Sequence, residues 1–168
     1  MCGISGFIDF SKKTDKEILL KMNRTMTHRG PDGEGYALFN TETATVGLGH
    51  RRLGIIDLTE GGAQSKTFQH LHITFNGEIY NYAEIKVQLE QKGHQFNSHS
   101  DTEVILHAYL EWGSACLQKF IGMFAFAIYD EASQKLFACR DRAGTKPFFY
   151  YWKNGLFLFA SELKAIVN

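Results

Sequence analysis

The run GMFAFAIYD at Gly122–Asp130 is followed by KLFACR at Lys135–Arg140, PFFYYW at 147–152 and LFLFA at 156–160. These four segments are rich in the aromatic residues that favour a pleated, half-buried surface, and short turns separate them. One turn contains Asn154-Gly155, the dipeptide a type I′ hairpin prefers because both central residues need positive φ. Consecutive hairpins of this kind predict antiparallel sheets.

Upstream, the periodicity alternates between strand and helix. Ser100-Asp101-Thr102-Glu103 has the capping-box pattern and opens a helix with Val104, Ile105, Ala108 and Leu110, ending near Gly113. A short helix around 114–120 follows. Asn81-Tyr82-Ala83-Glu84 opens another, with Ile85 and Leu89, which Gly93 ends as the C′ residue. Thr14-Asp15-Lys16-Glu17 is a further capping box, with Ile18, Met22 and Met26 at i, i+4 and i+8. That helix must stop before Gly30-Pro31, because a proline pushes its predecessor out of the α region. Strands are predicted at 2–10, 35–39, 44–49, 53–58 and 71–75. Helices grouped between runs of strands predict α+β layering rather than a doubly wound sheet. With 168 residues, no repeat and no linker, the chain reads as one domain spanning 1–168.

Composition narrows the class. Eighteen basic and 18 acidic residues balance, so nothing points to nucleic acid or an anionic membrane surface. Charge-free runs such as Phe120 to Tyr129 are too short to span a bilayer. Charges follow the first residues immediately, which argues against a signal peptide. Three scattered cysteines form neither a disulfide framework nor a CxxC pair, and a reducing cytoplasm fits best. His70 and His72 share a strand face, but no third ligand stands at a typical spacing; exposed strand histidines are the default and no metal site is expected. No phosphate-binding glycine loop occurs.

Cys2 is the most informative single residue. Its small side chain should let methionine aminopeptidase remove Met1, leaving a thiol and a free α-amino group on one residue. A thiol of pKa roughly 8.5 is a few per cent ionised at neutral pH, and an amine of pKa about 7.7–8.0 is a matched proton acceptor. The alternative is a small hydrophobe at the start of a buried strand. Asn76-Gly77, within FNGEIYN at 75–81, is either a turn or a pair of oxyanion donors, side-chain amide and glycine N–H. Arg51 and Arg52 enter an apolar strand, so one can point inward and bind a carboxylate. Asp101, in a helix first turn, either satisfies helix N–H groups or stays ionised to bind an ammonium. His28–Gly33 reads as a constrained loop, and Arg140–Pro147 as a solvated turn with local ion pairs. Together these parts suit an α-amino acid with a distal acyl group, such as glutamine.

The motifs MCGISG, HRGPDG, HRRLGIIDL, FNGEIYN, SDTEVIL, GMFAFAIYD, RDRAGTKPFFY and FASELKAI resemble, in that order, those of the class II glutamine amidotransferases. Within these N-terminal-nucleophile hydrolases, the chain is similar to the glutaminase domain of glutamine-hydrolysing asparagine synthetase. The resemblance implies a four-layer αββα sandwich of two antiparallel sheets. It implies Cys2 as nucleophile, and the Asn76 side chain with the Gly77 N–H as oxyanion hole. It assigns Arg52 to the glutamine α-carboxylate, backbone near Leu53 and Ile55 to substrate positioning, and Glu78 and Asp101 to the α-amino group. Arg140–Pro147 and Ser161-Glu162 would face a second domain that receives ammonia. That synthetase domain, with its ATP and Mg, lies outside these residues, and no cofactor is expected within them. A homodimer is compatible with the resemblance. So are a glutaminase serving a sugar or secondary-metabolite acceptor, and a non-catalytic docking or sensing relative. Gly54, Ser65, Ala143 and Thr145 depart from the family pattern.

Overall fold

The computed structural model describes residues 2–53 and 65–167. Their order is β1 (Gly3–Asp9), α1 (Lys16–Thr25), β2 (Gly33–Asn40), β3 (Thr45–Arg52), β4 (Ser65–Phe68), β5 (Leu71–Ile79), α2 (Tyr82–Glu90) and α3 (Asp101–Trp112). A 3-10 turn (Gly113–Gln118), β6 (Gly122–Asp130), β7 (Lys135–Arg140), β8 (Phe149–Lys153), β9 (Leu156–Ala160) and α4 (Lys164–Val167) complete it. Two antiparallel sheets result, ordered β2-β3-β1-β9-β8 and β4-β5-β6-β7.

The sheets pack face to face between two helical layers. Strand β6 shows why: Phe124, Phe126 and Ile128 meet the helices, while Ala125, Ala127 and Tyr129 meet the other sheet. Period-two alternation sends successive side chains to opposite faces of the strand. On the helical side, Ile85, Leu89, Val104 and Ile105 close over Ile73 and Phe75. Burying each such side chain is worth about 1.5–3 kcal/mol. Between the sheets lie Ile4, Val46, Leu48 and Phe159. On the far side, Met22 of α1, Met26 at its C-cap and Ala165 of α4 pack on Ala160. The αββα sandwich is the observed architecture. Asn154 and Gly155 have φ 51° and 77°, as the hairpin between β8 and β9 requires.

Several local expectations need correction. Helix α1 is capped by Asp15, which accepts from Ile18 N at 3.1 Å, so the helix starts one residue later than the Thr14 box implies. Thr14 N–H instead donates to Asp9. The buried stripe is therefore Leu19, Met22, Asn23, and Ile18 is 39% exposed. Asn81 occupies the cap position of α2 but spends its side chain on Lys119 O and Ile121 N. Gln91 is the C-cap, which makes Gly93, at φ +92°, one residue later than C′. The Ser100 box is half-formed: Ser100 accepts from Thr102 N, but Glu103 turns to Asn97 N and Ser98 Oγ. His70 sits in the turn before β5 rather than on the strand, and His72 packs on Phe39 with little exposure. The expected strand at 53–58 lies, beyond Leu53, outside the described residues. No helix among the described residues is long and apolar enough to cross a membrane.

Candidate active site

Strand pairing brings Cys2 to the end of β3. Gly3 of β1 stands opposite Arg51, so the residue before Gly3 meets the residues after Arg51. Leu53 N–H points at Cys2 Sγ at 3.4 Å, which orients a side chain that is 7% exposed. The other two thiols are chemically quiet. Burial pushes Cys116 up to about 12 and Cys139 above the ordinary thiol range, so both stay protonated at neutral pH.

Asn76 and Gly77 are not a turn. Strand β5 runs through both, pairing Asn76 with Ala125 and Gly77 with Phe124. The glycine answers a packing demand: a Cβ there would collide with the Met123 carbonyl and lie 2.6 Å from Phe124 Cα. Phe124 directs both its N–H and its C=O to Asp141 on the other side, so it exchanges no backbone bonds with Gly77. In an antiparallel ladder that turns the Gly77 N–H away from β6. Ile79 N–H, two residues on and on the same side, donates to Asp101 Oδ2 at 3.1 Å. The Gly77 donor and the Asp101 carboxylate thus share one edge of β5.

Asn76 faces the other sheet. Two residues earlier, Thr74 Oγ1 donates to Gly49 O of β3 at 2.9 Å and locks the sheets together. Asn76 is 2% exposed, and its Nδ2 is buried with no hydrogen-bond partner among the described residues. A buried donor left unmade costs roughly 1–3 kcal/mol, so folding alone gives no reason for an amide here.

The arginines divide as strand alternation requires. Arg51 is buried, donates from Nε to Gly30 O at 2.9 Å and pairs with Glu34 at 3.5 Å. It is committed to the His28–Gly33 loop, where a Cβ on Gly30 would come within 2.5 Å of Arg52 N. Arg52, half-buried on the opposite face, adjoins Leu53 and hence Cys2.

The sequence reading did not bring two further residues, Arg29 and Glu162, to the Cys2 backbone. Arg29 Nε donates to Cys2 O at 3.0 Å, and its Nη1 pairs with Glu162 at 3.2 Å. Only a contact across 133 residues of sequence creates that pair, and no local signal announces it. Asp101 accepts from Ile79 N–H; burial pushes its carboxyl above the ordinary range and Glu78 adds to this, against the Ile79 and Thr102 hydrogen bonds. The Arg140–Pro147 loop is a solvated turn only in part: Arg140, Arg142, Ala143 and Thr145 are exposed. Asp141 and Lys146 are buried, and Asp141 gathers the N–H groups of Phe124, Thr145 and Lys146. Glu78 is exposed. Ile55 and Gly54 lie outside the described residues. Among the described residues, no group of three His, Cys, Asp or Glu could hold a metal ion.

Comparison with known proteins gives a consistent result. Residues 1–168 match the profile of the family described as "Glutamine amidotransferase domain". The chain is 43% identical over 183 residues to a putative glutamine-hydrolyzing asparagine synthetase 2 of Methanocaldococcus jannaschii, covering 99% of this chain and 35% of that protein. It is also 43% identical over 178 residues to glutamine-hydrolyzing asparagine synthetase 3 of Bacillus subtilis, covering 99% and 27%. The chain thus spans about a third or less of the length of these relatives. Its backbone superposes on glutamine phosphoribosylpyrophosphate amidotransferase from B. subtilis with a TM-score of 0.81, at 21% identity, over 99% of this chain and 43% of that one.

Proposed function

Since the chain belongs to the glutamine amidotransferase domain family, we propose that it hydrolyses L-glutamine to glutamate and ammonia through a γ-glutamyl thioester on Cys2. The observation that carries this reading is the buried Asn76 amide with an unmade donor on the face turned to the other sheet. A donor kept unsatisfied in the resting protein is preorganised for charge that develops only during reaction.

The steps follow from the groups present. Once Met1 is removed, the Cys2 α-amine takes the thiol proton, and the sulfur attacks the glutamine side-chain carbonyl carbon. Negative charge forms on the carbonyl oxygen, where Asn76 Nδ2 and Gly77 N–H donate to it. Collapse breaks the carbon–nitrogen bond, and the α-ammonium returns its proton to the leaving ammonia. Water then attacks the thioester, releasing glutamate and restoring the thiol. Arg52 holds the substrate α-carboxylate with backbone near Leu53 and Ile55, while Asp101 and Glu78 hold its α-ammonium.

The relatives' names, glutamine-hydrolyzing asparagine synthetases, support an activated aspartate as the proposed ammonia acceptor, in a synthetase domain where ATP and Mg would act. A cytoplasmic enzyme, with a homodimer compatible, completes the proposal. Incubation with a glutamine-like diazoketone should label Cys2 alone, with glutamate released from glutamine by untreated protein. An adduct on any other residue overturns the reading.

Asp101 gives the pH dependence. Only its ionised form attracts an ammonium, and its pKa lies above the ordinary value. As pH falls through that raised pKa, the carboxylate gains a proton and KM for glutamine rises, beginning at a higher pH than an ordinary aspartate would impose. Asp101→Asn should raise KM about tenfold to a hundredfold, the worth of one charge-assisted bond, and flatten this acid limb. An unchanged KM profile would remove Asp101 from the site.

A further inference from the structure

Hydrogen bonds converge on the turn that follows β9. Ile4 N–H donates to Ser161 Oγ at 3.0 Å, and Ser161 N–H donates to Ile4 O at 2.8 Å. Ser161 is fully buried, so residue 162 is fixed beside the start of β1. Glu162 Oε1 lies 3.2 Å from Arg29 Nη1 and 2.9 Å from His28 Nε2, and its Oε2 lies 3.1 Å from Lys164 Nζ. Burial alone would raise this carboxyl, but the hydrogen bonds from His28, Lys164 and Arg29 outweigh it and hold the group below its ordinary value. Glu162 is an anion at neutral pH.

Arg29 needs that anion. Its side chain is 11% exposed, its Nε is committed to Cys2 O, and its Nη2 is buried without a partner among the described residues. A guanidinium so placed stays only while a carboxylate offsets its charge. Without Glu162 it would swing towards water and release the Cys2 carbonyl. The orientation of that carbonyl sets the Cys2 backbone, from which both the sulfur and the α-amine project.

We infer that Glu162 is a positioning residue for the Cys2 nucleophile, acting through the Arg29 guanidinium. The inference rests on the reading of Cys2 given above. Its consequence is mechanical: the turn after β9 reaches the nucleophile through one ion pair, so movement of residues 161–164 alters reactivity some 160 positions away in sequence.

The test measures the rate and the stoichiometry of Cys2 labelling by the glutamine-like diazoketone, alongside steady-state kinetics. It compares wild type, Glu162→Gln and Glu162→Asp. Glu162→Gln should label every Cys2, about tenfold to a hundredfold more slowly, as a small displacement of a reacting group requires. The kcat should fall by the same factor with KM within about twofold, and Glu162→Asp should recover part of the loss, because the lost effect is one of positioning rather than binding. Incomplete labelling at the native rate would mean Glu162 only supports folding, and would overturn the inference. So would labelling indistinguishable from wild type. Failure of wild type itself to label at Cys2 would overturn the inference together with the proposed function.

Discussion

Replacing Cys2 by alanine is expected to abolish glutamine hydrolysis while leaving the fold intact. With no sulfur there is no thioester, and water cannot use the Asn76–Gly77 donors at a comparable rate. Loss of a covalent nucleophile costs roughly 10⁴- to 10⁶-fold in kcat, and a value in that range is the expected result. The substitution removes one buried atom near Leu53, worth about 1 kcal/mol in stability. The Arg29 contact to Cys2 O survives because it uses backbone. Cys116 and Cys139 cannot substitute, since burial keeps both protonated. Glutamate release by Cys2→Ala within tenfold of wild type would sink the mechanism.

Replacing Asn76 separates chemistry from stability. Asn76→Ala should lower kcat by about 10²–10³, or roughly 3–4 kcal/mol of transition-state stabilisation, with little change in KM. Asn76→Leu should cost as much activity and stabilise the protein. Leucine keeps the branching and the heavy-atom count of the asparagine side chain, and it removes a buried donor that has no partner among the described residues. Relief of about 1 kcal/mol corresponds to a rise of roughly 2–4 °C in thermal midpoint for a domain of this size. A function-neutral amide would give the reverse pattern: lower stability and unchanged kcat. Paired kcat and melting measurements on the two variants read the difference directly.

Much of this was legible along the chain, and what was not has a common cause. Alternation in GMFAFAIYD, the Asn154-Gly155 hairpin and the acidic helix starts are short-range signals, and all three appear in the fold. Asn76-Gly77 looks identical to a turn in sequence, yet it lies mid-strand. Only the approach of β6, too close for a Cβ at Gly77, explains the glycine. Asp101 likewise reads as an ordinary helix-start carboxylate until burial beside Ile79 and Glu78 raises its pKa.

By itself the sequence determined antiparallel sheets in an α+β layering and the residues around which chemistry gathers, because periodicity and turn chemistry act between near neighbours; the αββα order came from the resemblance to a known family. Tertiary structure alone decided which arginine is committed to the His28–Gly33 loop, which way the Gly77 N–H turns, and that Glu162 reaches Cys2 through Arg29. Those outcomes depend on strand register and on the burial of charge. Both are properties of segments far apart in the chain, and neither exists until the sheets have closed on each other.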